Sequence, residues 1–222
     1  IAFDNIEIIS RGKKIKLIDV KNIKKLPKQI KKTVLKDIKN IVFKRTNLNK
    51  YSNISAPLIM GVLNLTPDSF SDGGLYLQSK KAFTHINNMI SKGADIIDVG
   101  GESTRPGSKT IAYKVEWMRL KKIIINFKKK FPKTLLSIDT RKSEVMLKSI
   151  KHKSDIINDV SGFNYDYKAI NKIKNYNVWK VLHHMQGTPS TMQIKPSYKN
   201  VLLDVYDFFE KKINTDFKKF KY

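Results

Sequence analysis

Residues 96–107 read IIDVGGESTRPG. The stretch begins as a buried strand should, with β-branched Ile96, Ile97 and Val99. Gly100 and Gly101 break it, and Glu102, Ser103, Thr104 and Arg105 follow before Pro106-Gly107 stops the run. Polar side chains gathered at the carboxyl end of an apolar strand are how α/β proteins build ligand sites. An ordinary βα turn explains the stretch equally well when it is taken alone. Recurrence of the same design along the chain decides between the two.

Upstream, Leu58–Leu65 (LIMGVLNL) is a continuous apolar run, the pattern of a strand buried on both faces. It ends at Asn64 and leads into a loop to Gly74 that carries Thr66, Asp68, Ser69, Ser71, Asp72 and the aromatic Phe70. A helix is expected over Ser79–Lys92, with Ala82, Phe83, Ile86, Met89 and Ile90 as its apolar stripe and Gly93 at its C-terminal cap. Downstream of the second strand, Asp95–Val99, a helix runs from about Tyr113 to Lys130. The third strand, Thr134–Ile138, ends in Asp139-Thr140-Arg141 and is followed by a helix over Ser143–Lys151. The fourth, Asp155–Val160, holds Asn158 and Asp159 and precedes a helix over Asp166–Lys174. The fifth, Val178–Leu182, ends in His183 and His184, and a last helix spans Ser197 to about Phe220.

Strand and helix thus alternate five times, which means a parallel sheet with right-handed crossovers. An open doubly wound sheet and a TIM-type (β/α)8 barrel both fit. The chain has no GxGxxG or Walker loop to support the former. Polar residues at all five strand ends favour the barrel, of which about the first five βα units are expected here. Residues 1–55 differ in texture. They suggest two short strands within Ile6–Asp19, about Arg11-Gly12, and a Lys-rich helix starting near Leu26-Pro27 with Val34, Leu35, Ile38 and Ile41 at helical spacing. We read them as a small N-terminal extension to a barrel domain over 56–222.

The 222 residues contain no cysteine, which excludes disulfides, thiolate metal sites and a Cys nucleophile and suits the cytoplasm. No apolar run approaches the ~18 residues of a membrane span. The first residue is Ile, so the native N-terminus is expected to lie upstream; no secretory apolar stretch marks residues 1–20. A net charge of +25 raises nucleic-acid binding, but only five of the 44 basic residues are Arg, the usual reader of phosphates and base edges. Abundant Lys, Asn and Ile look instead like the drift of an AT-rich genome. The expectation is a solvated Lys surface that favours anionic small molecules, with neither nucleic acid nor membrane as partner.

Asp139, closing its strand, is poised to accept two N–H groups from a flat heterocycle; capping the Ser143 helix is the alternative. Asn158 offers a donor and an acceptor to an amide-like ring edge, unless it is a satisfied core amide. Arg105 could clamp a phosphate or carboxylate, or form a surface ion pair. Asn64, Asp68 and Asp72 offer hard oxygens to Mg2+, or simply make Asx turns. Adjacent His183 and His184 face opposite ways and cannot serve one metal as a pair; each is a candidate general base or an oriented core His.

Five segments in order, MGVLNLTPDSFSDGG, GADIIDVGGESTRPGS, SIDTRKSEV, IINDVSG and HMQGTPSTMQ, closely resemble dihydropteroate synthases, the pterin-binding barrel enzymes of folate biosynthesis. The resemblance covers residue 57 to about 200. It implies condensation of 6-hydroxymethyl-7,8-dihydropterin diphosphate with 4-aminobenzoate to dihydropteroate and pyrophosphate, by departure of pyrophosphate and capture of the pterin cation. By motif it implies Asn64 as ligand to Mg2+ and pyrophosphate, Asp139 and Asn158 as readers of the pterin edge, and Thr104 beside the substrate. Phe70, Thr104 and Pro106 would meet the aminobenzoate. Arg105 would lie near the developing charge and share the catalytic role with Asp139. Sulfonamides would compete, and the full-length enzyme would be a homodimer.

His183 stands where the family usually has Met. The family's later Asp-Pro-Gly, Ser-Arg-Lys and Arg-Val-His segments do not occur in these residues, and five strands of a barrel leave two open edges, so the chain expressed alone is expected to be inactive and poorly folded. Rival expectations are a pterin-binding methyltransferase barrel, which has no use for the TPDSFSDGG and ESTRPG loops, an inactive remnant, and a basic nucleic-acid-associated protein.

Overall fold

The computed structural model describes residues 3–43, 57–66, 75–103, 108–188 and 190–218. The chain divides into two compact units, Ile1–Ser55 with Asn200–Asp204, and Ala56–Lys199 with Val205–Tyr222. In the first, strands β1 (Asn5–Ile8) and β2 (Lys16–Asp19) form an antiparallel ladder, and Gly12 in the connection adopts φ +66°. The Asp19 carboxylate accepts the Lys21 N–H at 2.7 Å and starts a 3-10 turn, Val20–Lys25, that the periodicity does not announce. Helix α1 (Lys28–Val42) follows Pro27, as a residue with fixed φ and no N–H suits a helix start.

The second unit carries a parallel sheet of β3 (Met60–Asn64), β4 (Ile96–Gly100), β5 (Leu135–Asp139), β6 (Ile156–Asp159) and β7 (Trp179–Leu182). Its spatial order is the sequence order, β3-β4-β5-β6-β7. A doubly wound sheet reverses its order at a switch point. This one never does, so it is the wall of a TIM-type barrel, built from five βα units. Helices α2 (Leu75–Ser91), α3 (Tyr113–Lys130), α4 (Ser143–Lys151) and α5 (Ala169–Ile173) belong to it, as does α6 (Val201–Thr215) from Val205 on. None of the described helices is long and apolar enough to cross a membrane.

Strand parity places the core. Leu63, Ile97, Val99, Leu136, Ile138 and Ile157 point to one face and pack with Ile86, Leu120, Ile123, Ile124, Phe127, Val145 and Met146 of the helices. The helix spacing reads well because this face needs continuous apolar stripes. Gly93 adopts φ +100° after α2, with Ala94 N–H on the Met89 carbonyl and Gly93 N–H on that of Ile90, a Schellman stop.

Several boundaries differ from expectation for identifiable reasons. β3 is not buried on both faces: Leu63 is buried, but Met60 and Val62 are 39% and 56% exposed, because apolar sequence does not say which face finds a neighbour. β4 continues through Gly100, which keeps ladder register with Asn64 and Asp139. The helix expected over 166–174 is shorter, α5, and is preceded by a turn in which the Asp166 carboxylate accepts the N–H of Lys168 at 3.0 Å as well as that of Ser143 at 2.9 Å. α6 starts at Val201 rather than Ser197. Ser197 exchanges two hydrogen bonds with Gln186, and the Asn200 side chain caps the helix by accepting the Leu203 N–H.

The amino ends of the strands are pinned by carboxylates. Asp95 accepts the Ile59 N–H at 2.9 Å; Asp155 accepts the Leu136 N–H at 2.9 Å and pairs with Lys128 Nζ at 2.5 Å. These bonds hold the amino ends of the strands and leave the carboxyl ends for chemistry. Truncating fully buried Phe127 to Ala is expected to lower unfolding free energy by about 3–5 kcal/mol. Ile41→Ala, at a 54% exposed position, should stay within about 0.5 kcal/mol. Urea denaturation of the two variants checks both.

Candidate functional site

The parallel register aligns Asn64, Gly100, Asp139, Asn158 and Val181 in one row across all five strands. Residues in register share a face of the pleat, so Asn64, Asp139 and Asn158 emerge together, at the carboxyl ends and on the face away from the helices. His183 follows Val181 by two residues and continues the row just past β7. A Cβ on Gly100 would lie 3.3 Å from both Asn64 Oδ1 and Asp139 Oδ2. The missing side chain is what lets those two oxygens face each other across β4.

One row below, Asp98 is in register with Ser137 and is buried. Asn158 Nδ2 donates to Asp98 Oδ2 at 3.1 Å, and Asn158 Oδ1 lies 2.6 Å from His183 Nε2. The core-amide alternative for Asn158 therefore holds in part: both ends of its amide have protein partners, and one N–H and one lone pair remain. Asp139 does not cap α4, whose first N–H groups turn to Asp166 and to Thr140. Among the described residues no hydrogen bond engages the Asp139 carboxylate, which leaves it for a ligand.

The electrostatics follow from burial of several acids together. Burial raises Asp139 most, and Asp98, Glu116, Asp159 and Glu102 add to it, so its carboxyl is pushed up to about 7. Burial also raises Asp98, with Ser137, Asn158 and His183 opposing, and raises Asp159 against the hydroxyl and N–H of Ser161. Asp98 Oδ1 and Ser137 Oγ nevertheless lack a well-formed hydrogen bond. Such a cluster welcomes a ligand that brings N–H donors or positive charge, and it contains no activated nucleophile.

Beneath the loops sits an ion network. Glu102 Oε2 accepts from Arg141 Nη2 at 2.8 Å and Nε at 3.1 Å, its Oε1 meets Lys142 Nζ at 2.9 Å and the Ile111 N–H at 3.0 Å, and Lys142 reaches Glu116 at 2.7 Å. All four side chains are buried. Burial by itself would raise Glu102; Lys142, the Ile111 N–H and Arg141 overcome it and hold the carboxyl below its ordinary value. Arg141 also lies over the Tyr165 ring at 4.3 Å. The network ties the loop after β4 to the loop after β5 and to α3.

Of the residues read from sequence, the structure brings Asn64, Asp139 and Asn158 together. Phe70, Thr104, Arg105 and Pro106, with Asp68 and Asp72, lie outside the described residues. His183 and His184 do diverge: His184 meets Tyr198 Oη at 3.1 Å and stands edge-on to Phe208, the core role expected of it. The sequence places Glu102 and Arg141 at strand ends without a role, and gives Asp98, Glu116 and Lys142 none. An acid between Ile97 and Val99 in a fully buried strand was the available signal for Asp98. Asn64 Oδ1, a neutral hard oxygen beside Asp139, fits a Mg2+ that keeps mostly water and ligand oxygens. Among the described residues no group of three or more His, Asp or Glu could hold a metal.

Residues 60–218 match the model of a family described as pterin binding enzyme. The dihydropteroate synthase of Haemophilus influenzae is 37% identical over 166 residues, 75% of this chain and 60% of that protein. The solved dihydropteroate synthase from Anaplasma phagocytophilum with bound 6-hydroxymethylpterin-monophosphate aligns with a TM-score of 0.66 and 30% identity, over 74% of this chain and 63% of the other. That of Xanthomonas albilineans with 4-aminobenzoic acid gives 0.64 and 34%, over 72% and 56%. The chain thus spans between about half and 60% of the length of curated relatives it matches.

Two outcomes are expected from the charges. Glu102→Ala should cost about 3–5 kcal/mol in denaturant unfolding, since it leaves buried Arg141 without its carboxylate and Lys142 with Glu116 alone. For Asp139 the folded carboxyl ionises near 7 and the unfolded one near 3.8, so the folded state holds the proton longer. Stability from this group is therefore present below pH 4 and lost as pH rises toward 7. Asp139→Asn should be more stable than the parent above pH 7 and equal to it below about pH 4; equal stability throughout would refute the raised value.

Proposed function

Because the chain belongs to the pterin-binding enzyme family, we propose that it forms the pterin-binding wall of a dihydropteroate synthase. This enzyme would join 6-hydroxymethyl-7,8-dihydropterin diphosphate to 4-aminobenzoate. The observation that carries this reading is the register row of Asn64, Gly100, Asp139 and Asn158 at the carboxyl ends of four adjacent strands. The ligands named for the Anaplasma and Xanthomonas enzymes, a pterin monophosphate and 4-aminobenzoic acid, support it.

In this reading the Asp139 carboxylate accepts N–H groups from the pterin ring, and the remaining N–H and lone pair of Asn158 read the neighbouring edge. Gly100 gives the ring a flat floor. The C–O bond to pyrophosphate breaks, the electron pair leaves with the pyrophosphate, and the amine of 4-aminobenzoate forms the new C–N bond and loses a proton. The buried carboxylates Asp98 and Asp139 favour the cationic pterin between these events. Asn64 would hold Mg2+, which when bound offsets the charge of the departing pyrophosphate. Thr104 would lie by the pterin, Phe70, Thr104 and Pro106 by the aminobenzoate, and Arg105 near the leaving charge. A sulfonamide would occupy the aminobenzoate place. A cysteine-free chain suits a cytoplasmic enzyme.

Titration of the chain with 6-hydroxymethylpterin tests the reading. A ligand that donates N–H groups needs Asp139 ionised, and the carboxyl ionises near 7. Affinity should therefore rise between about pH 6 and about pH 8 and then level. Asp139→Asn should bind at least about tenfold more weakly and lose the pH dependence. No binding by the parent chain, or binding that Asp139→Asn leaves intact, would sink the proposal.

A further inference from the structure

We propose, building on the pterin reading above, that His183 is a positioning residue that fixes which way the Asn158 amide faces and so sets ligand selectivity. An Asn side chain can flip, exchanging donor for acceptor at nearly constant shape. Here both ends are held. Nδ2 donates to Asp98 Oδ2 at 3.1 Å, which turns Oδ1 toward His183. At 2.6 Å from that oxygen, His183 Nε2 must carry a proton, since a bare nitrogen would set lone pair against lone pair. Asn158 then presents a fixed donor–acceptor order beside Asp139 in place of two interchangeable ones.

His183 is itself held. Gly162, at φ +60°, brings its Cα so near the His183 carbonyl that a Cβ there would lie 2.5 Å from the oxygen. The loop after β6 therefore packs against the His183 backbone, and the imidazole is delivered to Asn158 from a constrained position. Without the His183 proton, only the bond to Asp98 would oppose the flip, and the amide would serve ligands of either polarity.

The test uses the full chain, its His183→Leu variant, which cannot donate, and His183→Gln, whose amide can. The first readout is long-range proton–nitrogen NMR of the parent, where His183 Nε2 should be protonated; a bare Nε2 overturns the proposal. The second is affinity for 6-hydroxymethylpterin against the lumazine analogue, in which a carbonyl replaces the ring amino group. His183→Leu should bind the pterin about tenfold more weakly and lose most of its preference over the lumazine, and His183→Gln should restore both. Equal weakening toward both ligands, or unchanged binding, overturns the proposal, because a merely structural role would leave the preference intact. If the parent binds neither ligand, the pterin reading fails, and the protonation of Nε2 alone decides whether the clamp exists.

Discussion

Two acids and two bases buried at the carboxyl ends of β4 and β5 hold this structure to its purpose. Glu102, Glu116, Arg141 and Lys142 come from three separate elements and are all buried. Burying any one alone would be prohibitive; as a set they neutralise one another and satisfy each other's hydrogen bonds. Apolar side chains of equal volume would stabilise the fold as well or better. What the ions add is direction: forked hydrogen bonds from Arg141 to one oxygen of Glu102 and a separate bond from Lys142 to the other fix where each loop leaves its strand. The ladder then carries that placement to the row above.

The same arrangement divides the charges by task. Glu102 has cations at bonding distance and stays ionised. Asp139 and Asp98 sit a few residues away, with no Lys or Arg salt bridge to them among the described residues, and burial pushes them toward protonation. Neighbouring acids therefore hold opposite protonation preferences: deeper burial raises Asp139 and Asp98, and the Lys142 and Arg141 partners lower Glu102. Buried acids that lack such partners among the described residues are complementary to a ligand that brings N–H donors or positive charge.

Most of the scaffold and part of the site could be read from the chain. The βα alternation is a matter of period, and period survives in sequence: α3 and α4 fall where their apolar spacing puts them. Asn64, Asp139 and Asn158 stand out because each interrupts or closes an apolar strand. The network did not stand out. Lys142 is one of 39 lysines, so compositional drift hides the one that matters, and Glu116 within YKVEWMRL looks like any surface acid until α3 turns it inward. Register was also hidden: nothing local says that Gly100 stands between Asn64 and Asp139, since that depends on how three distant strands slide past one another. The burial of β3 was misjudged for the same reason, as apolarity does not name its neighbour.

Gly100 has a consequence for how this pocket can change. With strands about 4.8 Å apart, Asn64 and Asp139 stand roughly 10 Å from each other, and Gly100 is the whole of the surface between them. Every substitution there adds at least one carbon against both oxygens. A side chain at Gly100 has to move Asn64 and Asp139 by a few tenths of an ångström, so it changes both oxygens at once. An inhibitor whose contacts fall on the backbone at Gly100 would rest on the part of the floor where a replacement disturbs the rest of the row.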